Sequence, residues 1–286
     1  MPGAAPLWTP MPLIRVTAEF FADKGIESAR LDAELLLAHV LGCARLQLYL
    51  DSDRPIVPDE LDRYRALVKR RGQREPLQLL VGHVEIMENE FLVRSGVFIP
   101  RPETEVLIEA CRAFDLADDT TIVEVGVGTG CIGLSLLTHF PSARLIGFDV
   151  NDQAIALATE NAERLGVASR IELREGDAAA VDLPACDLFV SNPPYVPAAA
   201  LADLQPEVRD HDPPEALVSG EDGLDLVRML LPRARTALRS DGWIAMEHGD
   251  DQGSAMAGLF ADAGFADVEV RRDLTDRDRV TVGRRR

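Results

Sequence analysis

Asn192, Pro193, Pro194 and Tyr195 directly follow an apolar run, and their types and order suit the binding of a planar NH2 group. Each proline biases the residue before it toward extended backbone and has no N–H to donate. We therefore predict that the Asn192 side-chain oxygen and the Pro193 carbonyl oxygen each accept one N–H of such a group. The Tyr195 ring would supply a flat wall against its plane.

This arrangement predicts transfer of a methyl group to nitrogen. The nitrogen of an amide or an aromatic amine is a poor nucleophile because its lone pair is delocalised. Holding both N–H bonds orients that nitrogen toward an electrophile, and such alignment can lower a barrier by on the order of 7 to 11 kcal/mol in the best cases. The methyl group of a sulfonium is the electrophile that fits. The alternative interpretation is a proline-stiffened loop without chemistry.

A glycine-rich turn with Gly126, Gly128 and Gly130 lies between an apolar run and a helical pattern. Glycine permits a tight turn and close approach to a ligand, and the N-terminus of a helix favours a negative group. The dinucleotide pattern G-x-G-x-x-G/A needs a small residue three positions after its second glycine, where this chain has Cys131. A nicotinamide cofactor is therefore disfavoured, and an ordinary strand-to-helix turn is the alternative.

Two carboxylates end the next two apolar runs. Asp149 stands some twenty residues after the glycine turn, where a carboxylate can accept both hydroxyls of a ribose. Asp177 is expected near the edge of an adenine, and a solvated acid at the end of a strand is the alternative. The turn and Asp149 together predict a cofactor with an adenosyl group and a carboxylate tail but no pyrophosphate.

The elements that would position these residues alternate between strands and helices. Apolar runs separated by helical segments predict a parallel sheet buried on both faces, in a doubly wound α/β fold. Two alternating runs, 266–273 and 278–285, predict an antiparallel hairpin at the C-terminus. The five runs assigned to the parallel sheet are 120–125, 143–150, 170–177, 186–192 and 242–249. Ligands of such sheets bind beyond the carboxyl ends of the strands, where the residues described above lie.

The chain before this sheet has a helical pattern over residues 13–75. Leu31, Leu35 and Ala38 recur at helical spacing, and residues 58–72 have acids in the first turn and bases in the last. A small helical bundle is predicted. Residues 84–99 are expected to form short strands or a hairpin around Ser95 and Gly96.

Composition and charge limit the class of protein. The 286 residues are 47% hydrophobic and 27% charged, without an apolar run near the roughly 18 residues that span a bilayer. The first 14 residues lack a basic segment, so we expect no signal peptide, and the widely spaced cysteines suit a reducing cytoplasm. No metal site is expected, because His39, His83, His139 and His211 are not spaced like metal ligands.

The net charge of -18 is unevenly distributed. Residues 1–85 contain 11 basic and 12 acidic side chains, so the remainder carries a net charge of -17. Binding to a phosphate backbone depends on lysine and arginine, and nucleic acid is therefore a disfavoured direct substrate. The one basic cluster of the helical region, Lys69 to Arg74, is either a solvated helix end or a docking patch for a protein substrate.

Four segments, 99–105 (IPRPETE), 124–130 (EVGVGTG), 191–196 (SNPPYV) and 246–252 (MEHGDDQ), together resemble the PrmC/HemK family over nearly the whole chain. These are S-adenosylmethionine-dependent N5-glutamine methyltransferases that act on class I peptide chain release factors. The resemblance implies a Rossmann-like methyltransferase fold with a mostly parallel seven-stranded sheet and an antiparallel C-terminal hairpin. It also implies a substrate-recognising helical bundle over residues 1–82, a linking hairpin over 83–104 and a methyltransferase domain over 105–286.

The resemblance further implies that S-adenosylmethionine is converted to S-adenosylhomocysteine while the glutamine of a Gly-Gly-Gln loop is methylated. Catalysis and substrate binding would fall to Asn192, Pro193, Pro194 and Tyr195, with Phe98 placed over the site. Cofactor contacts would come from Gly126, Val127, Gly128, Thr129, Gly130, Asp149, Asp177, Ala178 and Asn192. The chain departs from the family at Glu124, which replaces an aspartate, at Val127, which replaces a threonine, and at Ala178, which replaces an aromatic residue of some relatives.

Three alternatives stay open. The tetrapeptide alone also suits a methyltransferase of adenine or guanine amino groups, or of another protein amide, and a non-catalytic cofactor-binding scaffold is a third possibility. Glu247 and His248 could form an acid-base pair, but attack on a sulfonium by an amide needs little general base, so we favour a structural role for both.

Overall fold

The computed structural model describes residues 8–178 and 180–286, which form two compact units. The first unit runs to Gly82 and also contains Pro206–His211, and the second consists of His83–Gln205 and Asp212–Arg286. Residues 1–7, which begin the stretch for which no signal peptide is expected, lie outside the described residues, as does residue 179. No helix in the described ranges is long and apolar enough to cross a bilayer.

The first unit is a helical bundle, as the sequence predicts. Two of its long helices begin with a proline at the first helical position. A third ends at Gly42, which adopts the left-handed conformation. The helices are α1 (Pro10–Asp23), α2 (Ala29–Leu41), α3 (Gln47–Leu50), α4 (Pro58–Arg71) and α5 (Leu77–Val81). Phe21 and Tyr64 are the largest side chains of its buried core, which also contains Leu36 and Leu37.

The helix predicted from the spacing of Leu31, Leu35 and Ala38 is confirmed by α2, although Leu31 itself is 41% exposed. Ala33, Leu36 and Leu37 are the fully buried apolar residues of this helix instead. The reason is that α2 packs against both α1 and α4, so its buried face is wide and includes charged side chains that have partners. A pattern of leucines alone does not show where that face is centred.

The basic cluster Lys69 to Arg74 is largely paired inside the first unit. Arg71 is 5% exposed, and its guanidinium donates to Asp32 Oδ2 over 2.7 Å and to Glu207 Oε1 over 2.8 Å. Arg74 donates to the second oxygen of Glu207 over 2.6 Å, and Arg70 pairs with Glu75. A solvated helix end therefore does not describe Arg71, and neither Arg71 nor Arg74 is available for a docking partner without breaking these pairs.

The second unit opens with a two-stranded antiparallel hairpin, β1 (His83–Ile86) and β2 (Asn89–Leu92). The hairpin turn lies at Met87, which adopts a φ of +54°, so the prediction of a turn at Ser95 and Gly96 was wrong. That dipeptide instead forms a later turn whose Gly96 carbonyl oxygen accepts a hydrogen bond from Asn151 Nδ2 over 2.7 Å. Serine-glycine is a strong turn signal, whereas nothing in a methionine side chain indicates a left-handed residue.

The main sheet confirms the predicted topology. Its strand order in the described chain is β5-β4-β3-β6-β7-β9-β8, with β3 to β7 parallel and β9 antiparallel to both β7 and β8. The strands are β3 (Thr121–Val125), β4 (Arg144–Asp149), β5 (Ile171–Glu175), β6 (Cys186–Ser191), β7 (Leu238–Glu247), β8 (Ala266–Arg272) and β9 (Asp278–Arg284).

Helices cover both faces of this sheet. Alternate residues of β3 and β6 point to opposite faces, with Ile122 and Leu188 in one core and Val123 and Phe189 in the other. The first core is closed by α6 (Thr104–Arg112) and α7 (Cys131–His139), and the second by α10 (Asp225–Ala237) and α11 (Gly253–Asp262). The remaining helices are α8 (Asp152–Arg164) and, in the first unit, the short α9 (Pro206–Arg209). The carboxyl ends of the parallel strands consequently meet along one edge.

Candidate active site

The glycine turn and the Asn192 loop are neighbours at that edge. Ser191, the last residue of β6, donates its hydroxyl to the Val125 carbonyl oxygen at the end of β3 over 2.7 Å. Gly126 follows immediately, and a Cβ on it would lie 3.7 Å from the Asn192 carbonyl oxygen. The fold therefore brings together the two motifs that the sequence singled out separately.

The glycine turn leaves room for a ligand. Gly126, Gly128 and Gly130 all have positive φ, between +55° and +83°, which side chains rarely adopt. A Cβ on Gly128 would meet no described atom within 4 Å, so the turn has open space beside it. The Val127 side chain is buried and packs near Gly147, so it does not fill the space beside Gly128.

Asp149 is oriented by this same turn. Its Oδ2 accepts the backbone N–H of Gly128 and its Oδ1 accepts that of Asn151, each over 2.9 Å. Each carboxylate oxygen can accept a further hydrogen bond. Two adjacent acceptors held in this way suit the two hydroxyls of a ribose.

Glu124 lies completely buried under the turn and has one unsatisfied oxygen. Its Oε2 accepts the Gly133 N–H over 3.2 Å, while Oε1 has no hydrogen-bond partner in residues 8–178 and 180–286. Burial, reinforced by the charge of Asp149, raises the pKa of the carboxyl to about 8. The nearby Thr129 hydroxyl is also buried without a partner in the described chain. Unpaired buried polar atoms are costly, so these two groups fit a turn that holds a polar ligand.

Three other predicted cofactor and substrate residues differ in how deeply they are buried. Asp177 follows β5 and is exposed, whereas Ala178 is 4% exposed and belongs to the core closed by α10 and α11. Phe98 is half-buried, and the guanidinium of Arg101 lies 5.4 Å from the centre of its ring. Arg101 is fixed in turn by an ion pair with the buried Asp212.

Asn192 is held through the nitrogen of its side-chain amide. Nδ2 donates to the hydroxyl oxygen of Thr104, the first residue of α6, over 3.4 Å. Thr104 is 1% exposed, so this hydroxyl is shielded from water. The amide oxygen Oδ1 is left as the acceptor that Asn192 can offer to a ligand.

Tyr195 is held by a buried carboxyl at the end of β7. Its hydroxyl donates to Glu247 Oε1 over 3.4 Å. Burial raises the pKa of Glu247 to about 7, and the same effect raises the pKa of the Tyr195 phenol, which stays protonated. Glu247 Oε2 has no hydrogen-bond partner within the described ranges.

The backbone of the loop is clamped by Gln252. Its Nε2 donates to the carbonyl oxygens of Tyr195 and Asp222, each over 3.0 Å, and its Oε1 accepts the Gly249 N–H over 2.8 Å. Gly223 is packed so closely that a Cβ there would lie 2.0 Å from the Tyr195 carbonyl oxygen. The tyrosine carbonyl is therefore fixed from two sides.

His248 has no free nitrogen for acid-base work. Nδ1–H donates to the Gly249 carbonyl oxygen over 2.8 Å, and Nε2 accepts from the Thr281 hydroxyl over 2.9 Å. Burial lowers the pKa of the ring, so the imidazole is neutral at physiological pH. This geometry indicates a structural role.

Sequence reasoning missed Thr104, Gly223 and Gln252 as residues that hold the loop. Thr104 and Gln252 lie inside two of the quoted segments, 99–105 and 246–252, so the signal was present as sequence. Their contacts could not be foreseen, since they join residues up to 88 positions apart.

Comparisons with known proteins agree with this architecture. A family model described as the PrmC N-terminal domain matches residues 13–82, and one described as the methyltransferase small domain matches residues 89–205. The chain is 42% identical over 280 residues to a release factor glutamine methyltransferase of Geobacter sulfurreducens, which covers 97% of both chains. It is 40% identical to one of Chlorobaculum tepidum over 96% of both. In fold it resembles the crystal structure of a Pyrococcus furiosus methyltransferase, with a TM-score of 0.51 and 15% identity over 68% of this chain and 87% of that one.

Proposed function

The chain belongs to the family of release factor glutamine methyltransferases, and on this basis we propose that it methylates a glutamine side chain of a peptide chain release factor. The proposed acceptor is the amide nitrogen, N5, of the glutamine in the Gly-Gly-Gln loop of a class I factor. The methyl donor is S-adenosylmethionine and the co-product is S-adenosylhomocysteine. The observation that carries the proposal is Asn192, whose amide oxygen is left free by Thr104 beside an open glycine turn.

The residues at the edge of the sheet fit this donor. Asp149 would accept the ribose hydroxyls, because the Gly128 and Asn151 N–H groups already aim its carboxylate. The glycine turn would lie against the methionine portion, where the unpaired Oε1 of Glu124 can accept a hydrogen bond. Once bound, S-adenosylmethionine supplies an electrophilic methyl group on a sulfonium.

The loop residues would hold the glutamine. Asn192 Oδ1 and the Pro193 carbonyl oxygen each accept one N–H of its amide, and Tyr195 packs against the amide plane. Because an amide nitrogen is weakly nucleophilic, its orientation supplies most of what the protein can contribute. A neutral Asn192 suits this role, since it accepts a hydrogen bond without introducing a buried charge.

Two further assignments complete the proposal. The helical bundle, residues 1–82, would recognise the release factor through side chains other than Arg71 and Arg74, because these two arginines already pair with carboxylates of the chain. A translation enzyme of this kind would act in the cytoplasm, on protein and without direct nucleic acid contact.

The test is mass spectrometry of a class I release factor after incubation with the protein and S-adenosylmethionine. We expect the Gly-Gly-Gln peptide to gain about 14 Da, the net mass of one added methyl group. The Asn192→Ala variant should methylate this peptide at least about a hundredfold more slowly than the wild type. Calorimetry with S-adenosylhomocysteine should show that this variant still binds the cofactor. A cofactor-binding wild type that leaves the glutamine unmodified would refute the proposal and direct attention to a nucleobase or another protein amide.

A further inference from the structure

A buried group of polar side chains lies beneath the Asn192 loop and joins three elements. Thr104 starts α6, Glu247 ends β7, and both are 1% exposed. Asn192 Nδ2 donates to Thr104 Oγ1, and the Tyr195 hydroxyl donates to Glu247 Oε1, each over 3.4 Å. Polar atoms this deeply buried must form hydrogen bonds with one another. The direction of each hydrogen bond therefore limits the direction of its neighbours.

The hydroxyl of Thr104 has a single proton to place. It interacts with the Glu247 carboxyl on one side and with the Asn192 amide on the other. Because Thr104 Oγ1 already accepts from Asn192 Nδ2, its lone pair faces the amide and its proton is left to point toward the Glu247 carboxylate, which only accepts hydrogen bonds when it is ionised. Only the NH2 end of the amide can use that lone pair.

We propose that Thr104 and Glu247 are positioning residues that select the orientation of the Asn192 side-chain amide in which Oδ1 faces the substrate. The two ends of an asparagine amide have nearly the same shape, so packing alone does not distinguish them. In the reversed orientation Nδ2 would meet the glutamine NH2, and two donors would face each other. The inference rests on the proposed function, because it matters only if the loop receives an NH2 group.

Protonation of Glu247 would reverse this order of donors. A protonated carboxyl would donate to Thr104, which would then donate to Asn192 and favour the reversed amide. Burial and the negative charge of the nearby Glu103 raise the pKa of Glu247 to about 7.

The charged and titratable groups that face Glu247 come from every element around it. Arg279 of β9 and the hydroxyls of Thr104 and Tyr195 lower its pKa, which limits the effect of burial and Glu103. Cys131 at the start of α7 also feels the charge of Glu247 and stays protonated, because burial raises the pKa of this thiol. Turnover should therefore decline as the pH falls through about 7, while Glu247 takes up a proton.

The deciding experiment compares Thr104→Val, Thr104→Ser and Thr281→Val in the full-length protein. Valine keeps the shape of threonine but removes the hydroxyl, whereas serine keeps the hydroxyl. Thr281 is a matched control, because it is also buried and hydrogen-bonded but contacts His248 and not the loop. Steady-state methylation of the release factor gives kcat and KM, and calorimetry gives the Kd for S-adenosylhomocysteine.

For Thr104→Val we expect kcat to fall about tenfold or more, since a buried amide donor loses its acceptor, with KM and cofactor Kd little changed. Thr104→Ser should stay within about twofold of the wild type, and Thr281→Val should lose stability but keep kcat. Wild-type kcat in Thr104→Val, or equal losses in the serine variant or the Thr281 control, would overturn the inference.

The pH profile is a second test that needs no altered Thr104. In the wild type kcat should decline below about pH 7, and in Glu247→Gln, which cannot titrate, that limb should disappear at a lower plateau. A wild-type kcat that is flat from pH 8 to 6 would overturn the inference. A wild type that binds cofactor but transfers no methyl group would instead refute the proposed function.

Discussion

Replacing Gly223 by alanine should disable the loop without replacing any residue that contacts the substrate. Gly223 has a φ of +81°, and a Cβ there would lie 2.0 Å from the Tyr195 carbonyl oxygen and 2.6 Å from Gln252 Nε2. Ordinary contact begins at 3.4 Å, so the carbonyl must retreat by about 1.4 Å. Because Gln252 is displaced as well, its hydrogen bond to Tyr195 is lost or weakened.

The size of the effect follows from two separate costs. An alanine in a left-handed conformation costs about 1 to 2 kcal/mol of stability at any site. A misplacement of about 1 Å at a reacting centre lowers the rate about a hundredfold. We therefore expect kcat for glutamine methylation to fall about a hundredfold in Gly223→Ala, with little change in cofactor binding.

Gly166→Ala is the matched control, because Gly166 has a φ of +71° and a Cβ there would meet no described atom within 4 Å. It shares the conformational cost but not the collision. Its melting temperature should fall by a few degrees, at about 2 to 4 °C per kcal/mol for a domain of this size, with kcat unchanged. If Gly223→Ala has the same kcat and melting temperature as Gly166→Ala, the close packing against Tyr195 does not position the loop.

Three further substitutions test the cofactor site, a buried acid and the helical bundle. Asp149→Asn should raise the calorimetric Kd for S-adenosylhomocysteine about tenfold to a hundredfold, because hydrogen bonds to a charged acceptor contribute about 1.5 to 3 kcal/mol. The pKa of Glu124 is about 8 in the folded chain and near 4.5 when unfolded, so the unfolded chain loses this proton first and stability falls as the pH rises between these values. In urea unfolding at pH 5 and pH 8, Glu124→Gln should reduce this loss of stability by up to a few kcal/mol relative to the wild type. Glu247 contributes its own loss of stability over this range equally in the variant and the wild type. Arg71→Ala should destabilise the bundle by about 3 to 5 kcal/mol, because it removes the guanidinium partner of the buried Asp32 and leaves Glu207 paired with Arg74 alone, whereas Arg70→Ala removes an exposed pair and should cost less than about 1 kcal/mol in the same measurement.

Each of these has an outcome that would contradict its premise. An unchanged Kd in Asp149→Asn would remove the ribose assignment. Parallel pH slopes for Glu124→Gln and the wild type would mean that the buried carboxyl does not hold its proton in the folded state. Equal destabilisation by Arg71→Ala and Arg70→Ala would show that the buried ion pairs are no stronger than the exposed one.

The sheet could be predicted because each central strand is apolar on both faces. Residues 121–125 and 186–191 are short, mostly apolar segments that are buried at nearly every position, which is typical of parallel strands covered by helices. The hairpin turn could not be located in the same way, since Met87 adopts its left-handed φ without any signal in its type. The buried face of α2 depends on two packing partners, which periodicity within one helix does not reveal.

Residue types identified candidate groups at the site, but contacts between distant residues were invisible in the sequence. Glycine spacing, Asp149 and the tetrapeptide are local patterns, and each predicts chemistry without knowledge of its neighbours. The Thr104 contact to Asn192 spans 88 positions and the Glu207 contact to Arg71 spans 136. For the same reason the basic cluster was open to a docking interpretation, because its carboxylate partner lies far along the chain.

The rigidity of the loop comes from these distant contacts as much as from its prolines. Prolines fix φ at two positions, but they do not place the Tyr195 carbonyl oxygen, which Gln252 and Gly223 confine, or choose an amide orientation for Asn192. Those choices are made by residues of α6 and β7, by Gly223 and by Gln252 directly before α11, all outside the tetrapeptide. The four residues alone therefore indicate only transfer to a planar NH2 group, and the surrounding segments 99–105 and 246–252 supply contacts that hold the loop in place.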